Sequence, residues 1–197
     1  MKKEAFFKPP FFISYLISDP ELYGSTPKAL SSALQNSISK HHIDMICFRD
    51  KKTKDIESLA STFLNTSKRF DIPFVLINSN IKLAIKLKFD GVHLTSLQFD
   101  DIEFAKQNNL FVIISCHTEQ EIELAYTKGA DGVTYSPIFF KEDKGEPKGC
   151  ENLLKIVKKC QKNNFFVIAL GGIINNLQVR QVQSTGVKGF ASIRYFL

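Results

Sequence analysis

Short apolar runs alternate with amphipathic stretches along the whole chain, and this alternation constrains the fold more than any other feature of the sequence. The runs cover residues 11–17, 43–48, 73–77, 91–94, 110–115, 132–135, 165–170 and 189–192. Most are nearly continuous in Val, Ile, Leu and Phe and lack polar alternation. That is the pattern of strands covered on both faces, hence of a parallel sheet with helices packed outside it. Between them, residues 27–41 place Leu30, Leu34 and Ile38 on one helical stripe, and residues 55–70 do the same with Ile56, Leu59 and Phe63. Shorter helices are predicted over 81–88, 99–108, 152–162 and 175–184. Residues 118–128 open with Thr118-Glu119-Gln120-Glu121, a capping box, and Gly129 follows as terminator.

Eight strands with seven helices predict a single α/β domain over residues 1–197, a TIM-type (β/α)8 barrel whose last helix is missing or truncated. A flavodoxin-like open sheet is the alternative, although it needs only five or six strands. Residues 1–10 read as an N-terminal extension. The Phe-rich opening (Phe6, Phe7, Phe11, Phe12) is expected to plug the barrel bottom or cover an apolar face.

A parallel barrel carries its chemistry where the strands end. Those ends hold Arg49 and Lys51, Asn78, His93, His117, Ser136, the Gly171-Gly172 pair, and Ser192, Ile193 and Arg194. Two cations at alternate positions suit a phosphate or carboxylate, or are surface charges beside Asp50. His93 is either an interior hydrogen-bonded histidine or a substrate contact. His117 can take and give a proton near neutrality. The glycine pair lets backbone approach an anion closely, or is a plain turn. Residues 140–149 form a charged loop able to bring Lys141, Lys144 or Lys148 to an anion, or a solvated loop without a role.

The charge balance, 26 Lys plus Arg against 20 Asp plus Glu, gives +6. The basic residues are scattered and lack stacking aromatics, which argues against nucleic acid. No apolar run reaches the length needed to cross a bilayer, so no membrane role is expected and the chain reads as cytoplasmic. The opening lacks the apolar stretch and cleavage site of a secretory signal. Cys47, Cys116, Cys150 and Cys160 show no metal-binding spacing and read as reduced thiols; Cys116, beside His117, is a weak candidate nucleophile.

Taken in order, a set of motifs resembles the thiamine-phosphate synthase/TenI superfamily. They are Tyr15-Leu16-Ile17-Ser18-Asp19, Phe48-Arg49-Asp50-Lys51, residues 74–78, Asp90-Gly91-Val92-His93-Leu94 and Ser115-Cys116-His117-Thr118. Gly129-Ala130-Asp131-Gly132-Val133, Ser136-Pro137-Ile138-Phe139 and Ala169-Leu170-Gly171-Gly172-Ile173 continue the series, which spans about residue 13 to 194. The superfamily joins two activities on one barrel. The synthases, transferases, condense a pyrimidine diphosphate with a thiazole phosphate and release pyrophosphate with Mg²⁺. The TenI-type tautomerases, isomerases, aromatise a carboxythiazole phosphate by moving a proton.

The resemblance implies that Arg49, Lys51, Asn78, His93, Ser136 and Lys144 contact substrate. It further implies that 171–172 and 192–194 hold phosphate and that His117 shuttles a proton. It also exposes departures: Ser79 and Gln98 stand where the synthases place Mg²⁺-binding aspartates, and Ser136 stands where glycine is usual. Neither serine nor glutamine supplies the charge a hard cation needs. The expectation is therefore a tautomerase-like isomerase with no cofactor. The alternatives are a divergent synthase that uses Mg²⁺ through Asp100 or Asp50, and a non-catalytic barrel that binds a phosphorylated ligand. The partner is a small thiazole phosphate, and the sequence is compatible with a homodimer.

Overall fold

The computed structural model describes residues 12–141, 145–160 and 165–197. Eight parallel strands close into one ring in sequence order: β1 (Ile13–Ile17), β2 (Met45–Phe48), β3 (Phe74–Asn78), β4 (Gly91–Leu94), β5 (Phe111–Cys116), β6 (Gly132–Tyr135), β7 (Phe166–Leu170) and β8 (Gly189–Ser192). β1 pairs with both β2 and β8, so no edge remains and the open-sheet alternative is excluded. The helices are α1 (Pro20–Tyr23), α2 (Pro27–Lys40), α3 (Ile56–Arg69), α4 (Ile81–Leu87), α5 (Asp101–Gln107), α6 (Glu119–Thr127), α7 (Gly149–Cys160) and α8 (Asn176–Gln183). The one-turn α1 was not foreseen: four residues are too short to show an apolar period. Asp19 caps it by accepting from the Glu21 N–H at 3.1 Å. None of the described helices is long and apolar enough to cross a membrane.

Side-chain caps open α2, α3, α4, α6 and α8. Thr26, Asp55, Asn80 and Asn175 each accept a backbone N–H in the first turn, and Thr118 with Glu121 forms the expected capping box. No helix follows β8 within the described residues. Phe196, fully buried and stacked 5.6 Å from Phe190, covers that strand, while the Tyr23 hydroxyl donates to the Ile193 carbonyl at 3.0 Å.

Two apolar cores result, one between ring and helices and one inside the ring. The inner core depends on size alternation at its floor. The first inward position is Gly on β4, β6 and β8 but Phe on β3, β5 and β7. A Cβ on Gly91 would lie 2.1 Å from the Phe111 carbonyl oxygen, one on Gly132 2.4 Å from the Phe166 ring, and one on Gly189 2.4 Å from the Ile13 carbonyl oxygen. Carboxylates brace the same end. Asp44, Asp90 and Asp131, each just before an even strand, accept the N–H of Ser14, Val75 and Val112 at 2.8, 3.0 and 2.7 Å. Of the Phe-rich opening only Phe12 is described, stacked 5.8 Å from Phe190; Phe6, Phe7 and Phe11 lie outside the described residues.

Gly132→Ala should lower stability in urea unfolding by about 1–3 kcal/mol through overpacking. Adding Phe166→Leu should return at least half of that loss. An unchanged midpoint for the single variant would show that the floor has slack.

Candidate functional site

Up the barrel, the inward residues turn polar. Tyr15 and His93 are buried, and the Tyr15 hydroxyl lies 2.9 Å from His93 Nδ1. His93 Nε2 lies 3.1 Å from Ser115 Oγ and 3.3 Å from Thr134 Oγ1. Both ring nitrogens are thus engaged, which matches the interior reading of this histidine. Burial first, and the Arg49 charge second, push its pKa down to about 4, so it is neutral at physiological pH. Burial likewise holds the Tyr15 phenol well above its usual range and pushes the Cys47 thiol up to about 12.

His117 occupies the next inward position beyond Ser115 and is half-buried. Its Nδ1 sits 3.0 Å from the Ser136 carbonyl oxygen and 3.3 Å from Ser136 Oγ. A carbonyl can only accept, so Nδ1 carries the proton and the Nε2 lone pair is left as a base. The Glu121 carboxylate of the capping box accepts the backbone N–H of both His117 and Thr118, fixing the chain at this point. Neighbouring Cys116 is fully buried, and burial, then the Glu121 charge, raise its thiol pKa. An inaccessible thiol held protonated is no nucleophile.

At the β2 end, Arg49 donates to the Asp19 carboxylate at 2.6 Å, and its backbone N–H donates to Ser18 Oγ at 2.9 Å. Lys51 is exposed and has no ion-pair partner among the described residues. Burial pulls the Asp50 carboxyl up, but bonds from the Lys52 and Thr53 N–H groups and the Thr53 hydroxyl outweigh it, leaving the pKa below its ordinary value. Asn78 spends its amide on the His93 carbonyl at 2.8 Å.

Between the β3 and β4 ends a neutral amide closes the rim. Gln98 Oε1 accepts from the Thr95 N–H and hydroxyl at 3.2 and 3.1 Å. Its Nε2 donates to the Ser79 carbonyl at 3.1 Å and to Asp101 Oδ2 at 3.0 Å. Asp100 is exposed and paired with Lys128 at 2.8 Å; that bond and charge lower its pKa. Among the described residues no three His, Cys, Asp or Glu side chains converge where a metal ion could be held. These donors do not fit a divalent cation: one carboxylate faces the gap, Asp50 is committed to its own loop, and Asp100 to a lysine. An open depression of about 460 Å³ lies outside this rim, lined by Ser79, Asn80, Ile81, Lys82, Asp101 and Phe104. It contains neither His117 nor any partner of His117.

The glycine pair has a steric reason. Gly171 and Gly172 have φ of +98° and +73°. A Cβ on Gly171 would lie 2.8 Å from Pro137 Cα, and one on Gly172 2.7 Å from the carbonyl oxygens of Phe139 and Phe140. The close approach is therefore to the loop after β6, which is bonded here through the Ile138 and Phe139 N–H groups, each at 3.0 Å. Ser192 Oγ donates to the Ile173 carbonyl at 2.7 Å and accepts from the Tyr195 N–H at 3.1 Å, tying the β7 and β8 ends together. The backbone N–H groups of Gly172, Ile193 and Arg194 have no acceptor among the described residues, so this corner presents donors suited to an anion. Lys144 lies outside the described residues, while Lys148 Nζ stands 5.6 Å over the Tyr135 ring.

The sequence reading missed Tyr15, Ser115, Thr134 and the Glu121 contact to His117. Counting back two residues from His117 along β5 would have found Ser115. The partners on β1 and β6 needed the register.

Because a buried neutral His93 must take up a proton on unfolding, the unfolded chain holds one more proton than the folded chain between about pH 6.5 and 4. Stability should therefore rise with pH through that window and be lost as pH falls through it, by roughly 3 kcal/mol in all. Denaturation at pH 7 and 4.5 should show wild type losing about 2–3 kcal/mol more than His93→Gln. Equal losses would show that His93 titrates normally in the fold.

Comparison with known proteins agrees with this geometry. The family model described as thiamine monophosphate synthase matches residues 14–196. A putative thiamine-phosphate synthase 2 of Aquifex aeolicus is 30% identical over 188 residues, covering 93% of this chain and 96% of that protein. A thiamine-phosphate synthase of Latilactobacillus sakei is 33% identical over 156 residues, covering 74% of this chain and 68% of its own. Among solved structures, a thiamine phosphate pyrophosphorylase from Pyrococcus furiosus superposes with a TM-score of 0.74 at 26% identity, covering 93% of this chain and 86% of that one. With a family model matched over nearly the whole barrel and a relative 30% identical along 93% of the chain's length, the chain belongs to the thiamine monophosphate synthase/TenI family.

Proposed function

We propose that this chain is a TenI-type thiazole tautomerase, an isomerase that aromatises a carboxythiazole phosphate by moving one proton and needs no metal or other cofactor. The observation that supports this reading is the Gln98 tie: an amide and one carboxylate meet between the β3 and β4 ends, and that pair does not suit the cation a diphosphate leaving group would call for. A proton shift has no leaving group. It needs an anchor and a base.

The N–H groups of Gly172, Ile193 and Arg194, with Gly171 and the Ser192 tie shaping the corner, would take the phosphate. Arg49 or Lys51 would take the carboxylate, which in the case of Arg49 competes with Asp19 for the guanidinium. His117 Nε2 would remove a proton from the substrate, and the resulting imidazolium would return it elsewhere on the conjugated system, so that atoms and charge balance. Asn78 and His93 would shape the surrounding wall. A cytosolic setting, with the thiazole phosphate as the small-molecule partner, goes with this reading.

A second reading, a divergent thiamine-phosphate synthase, is favoured by the names its relatives carry. Assaying both reactions side by side, with Mg²⁺ and with chelator, separates them. Aromatisation should proceed equally in both, and His117→Ala should reduce it at least about 100-fold while product still binds. Mg²⁺-dependent pyrophosphate release from the two substrates, with no aromatisation, would replace the first reading with the second.

A further inference from the structure

Ser136 is read from the sequence as a substrate contact, but the geometry points to a different duty. We propose that the Ser136 hydroxyl is a positioning group for His117: together with the Ser136 carbonyl it forms a two-oxygen clamp on Nδ1–H that fixes the tautomer and ring plane of the base. The inference rests on the role proposed for His117, and its test does not.

Three observations support it. Both oxygens lie within reach of the same nitrogen, at 3.0 and 3.3 Å, and the carbonyl forces the proton onto Nδ1. The hydroxyl oxygen then acts as second acceptor of a shared N–H, a common three-centre arrangement. Ser136 itself is buried, at 9% exposure, which suits an inward partner better than a ligand contact.

The backbone on each side is already held. The Ser136 N–H donates to the Cys116 carbonyl at 3.2 Å, and Pro137 is packed against Gly171. On the other side the Glu121 carboxylate holds the His117 and Thr118 N–H groups. With both main chains fixed, the side-chain oxygen has one adjustable thing left to set, the imidazole. A glycine at 136 would keep the carbonyl and lose the second acceptor, leaving the ring freer to rotate away.

The clamp also matters once the base has taken its proton. The imidazolium is then donor at both nitrogens, and two oxygens at Nδ1 share its charge where one otherwise would. Such a device should act on the chemical step and leave substrate affinity alone.

Protein labelled with ¹⁵N-histidine, read by long-range ¹H–¹⁵N correlation, reports the tautomer of His117 without any turnover. Wild type should show the Nδ1–H form. Ser136→Ala should let the ring swing off the Ser136 carbonyl, so that a clear fraction of the other tautomer appears or the ring signals broaden by exchange, and Ser136→Thr, which keeps the hydroxyl, should restore the wild-type pattern. In the aromatisation assay, Ser136→Ala should lower kcat about 3–10-fold with KM unchanged, the range expected for losing one hydrogen bond. Ring signals identical in wild type and Ser136→Ala, or a raised KM with unchanged kcat, would overturn the clamp. A wild type that aromatises nothing, yet changes tautomer in Ser136→Ala, would refute the proposed reaction and leave the clamp standing.

Discussion

Closing eight short parallel strands into a ring forces side chains from all of them into one narrow cylinder, and the whole molecule depends on how that volume is shared. Here β4, β6 and β8 give up theirs. Gly91, Gly132 and Gly189 stand against Phe111, Phe166 and Ile13 with no room for a methyl group, and the floor aspartates fix the height at which β1, β3 and β5 enter. Because the floor is filled by large apolar groups, polar residues in the ring appear only higher up, at Tyr15, Asn78, His93, Ser115 and Thr134. Register then decides which of them meet: Ser115 pairs with Thr134 and Asn78 with His93 because those positions are level across β5–β6 and β3–β4.

The rim inherits its rigidity from the same packing. The β6 loop lies on the glycine pair, the β7 and β8 ends are joined by Ser192, and the capping box pins the chain at His117. An imidazole whose neighbours on both sides are held in this way is preorganised in one orientation. The Gly171-Gly172 geometry therefore serves two ends. It lets one loop seat on another, and it leaves the Gly172 N–H without an acceptor among the described residues.

Much of this was legible in the sequence because it is written in local patterns. Continuous apolar runs gave the strands, stripes gave the longer helices, and Thr118-Glu119-Gln120-Glu121 gave the box that the structure contains. Strand ends drifted by one or two residues, as at 11–17 against Ile13–Ile17, since an apolar residue beside a strand looks like part of it. α1 escaped because a single turn has no period. What the sequence could not show was pairing at a distance: that Tyr15 reaches His93 across 78 residues, or that the Ser136 carbonyl sets the tautomer of a histidine 19 residues earlier. Gly171 and Gly172 read from the sequence as a close approach to an anion or as a plain turn; the close approach the structure contains is to Pro137, Phe139 and Phe140, which no local pattern could indicate.

The glutamine at position 98 is one of two answers to a single electrostatic problem. Between the ends of β3 and β4, the Ser79 carbonyl and the Asp101 carboxylate both turn oxygens toward one point. An aspartate at 98 would add further lone pairs there, and such a cluster of oxygens is stable only around a positive charge. Gln98 instead turns its N–H bonds toward both oxygens and keeps its own carbonyl for Thr95. The amide satisfies the acceptors that a cation would otherwise satisfy, and it does so without positive charge to offer an incoming diphosphate. The rim is thus complete as a hydrogen-bonded structure and electrostatically poor as a diphosphate site.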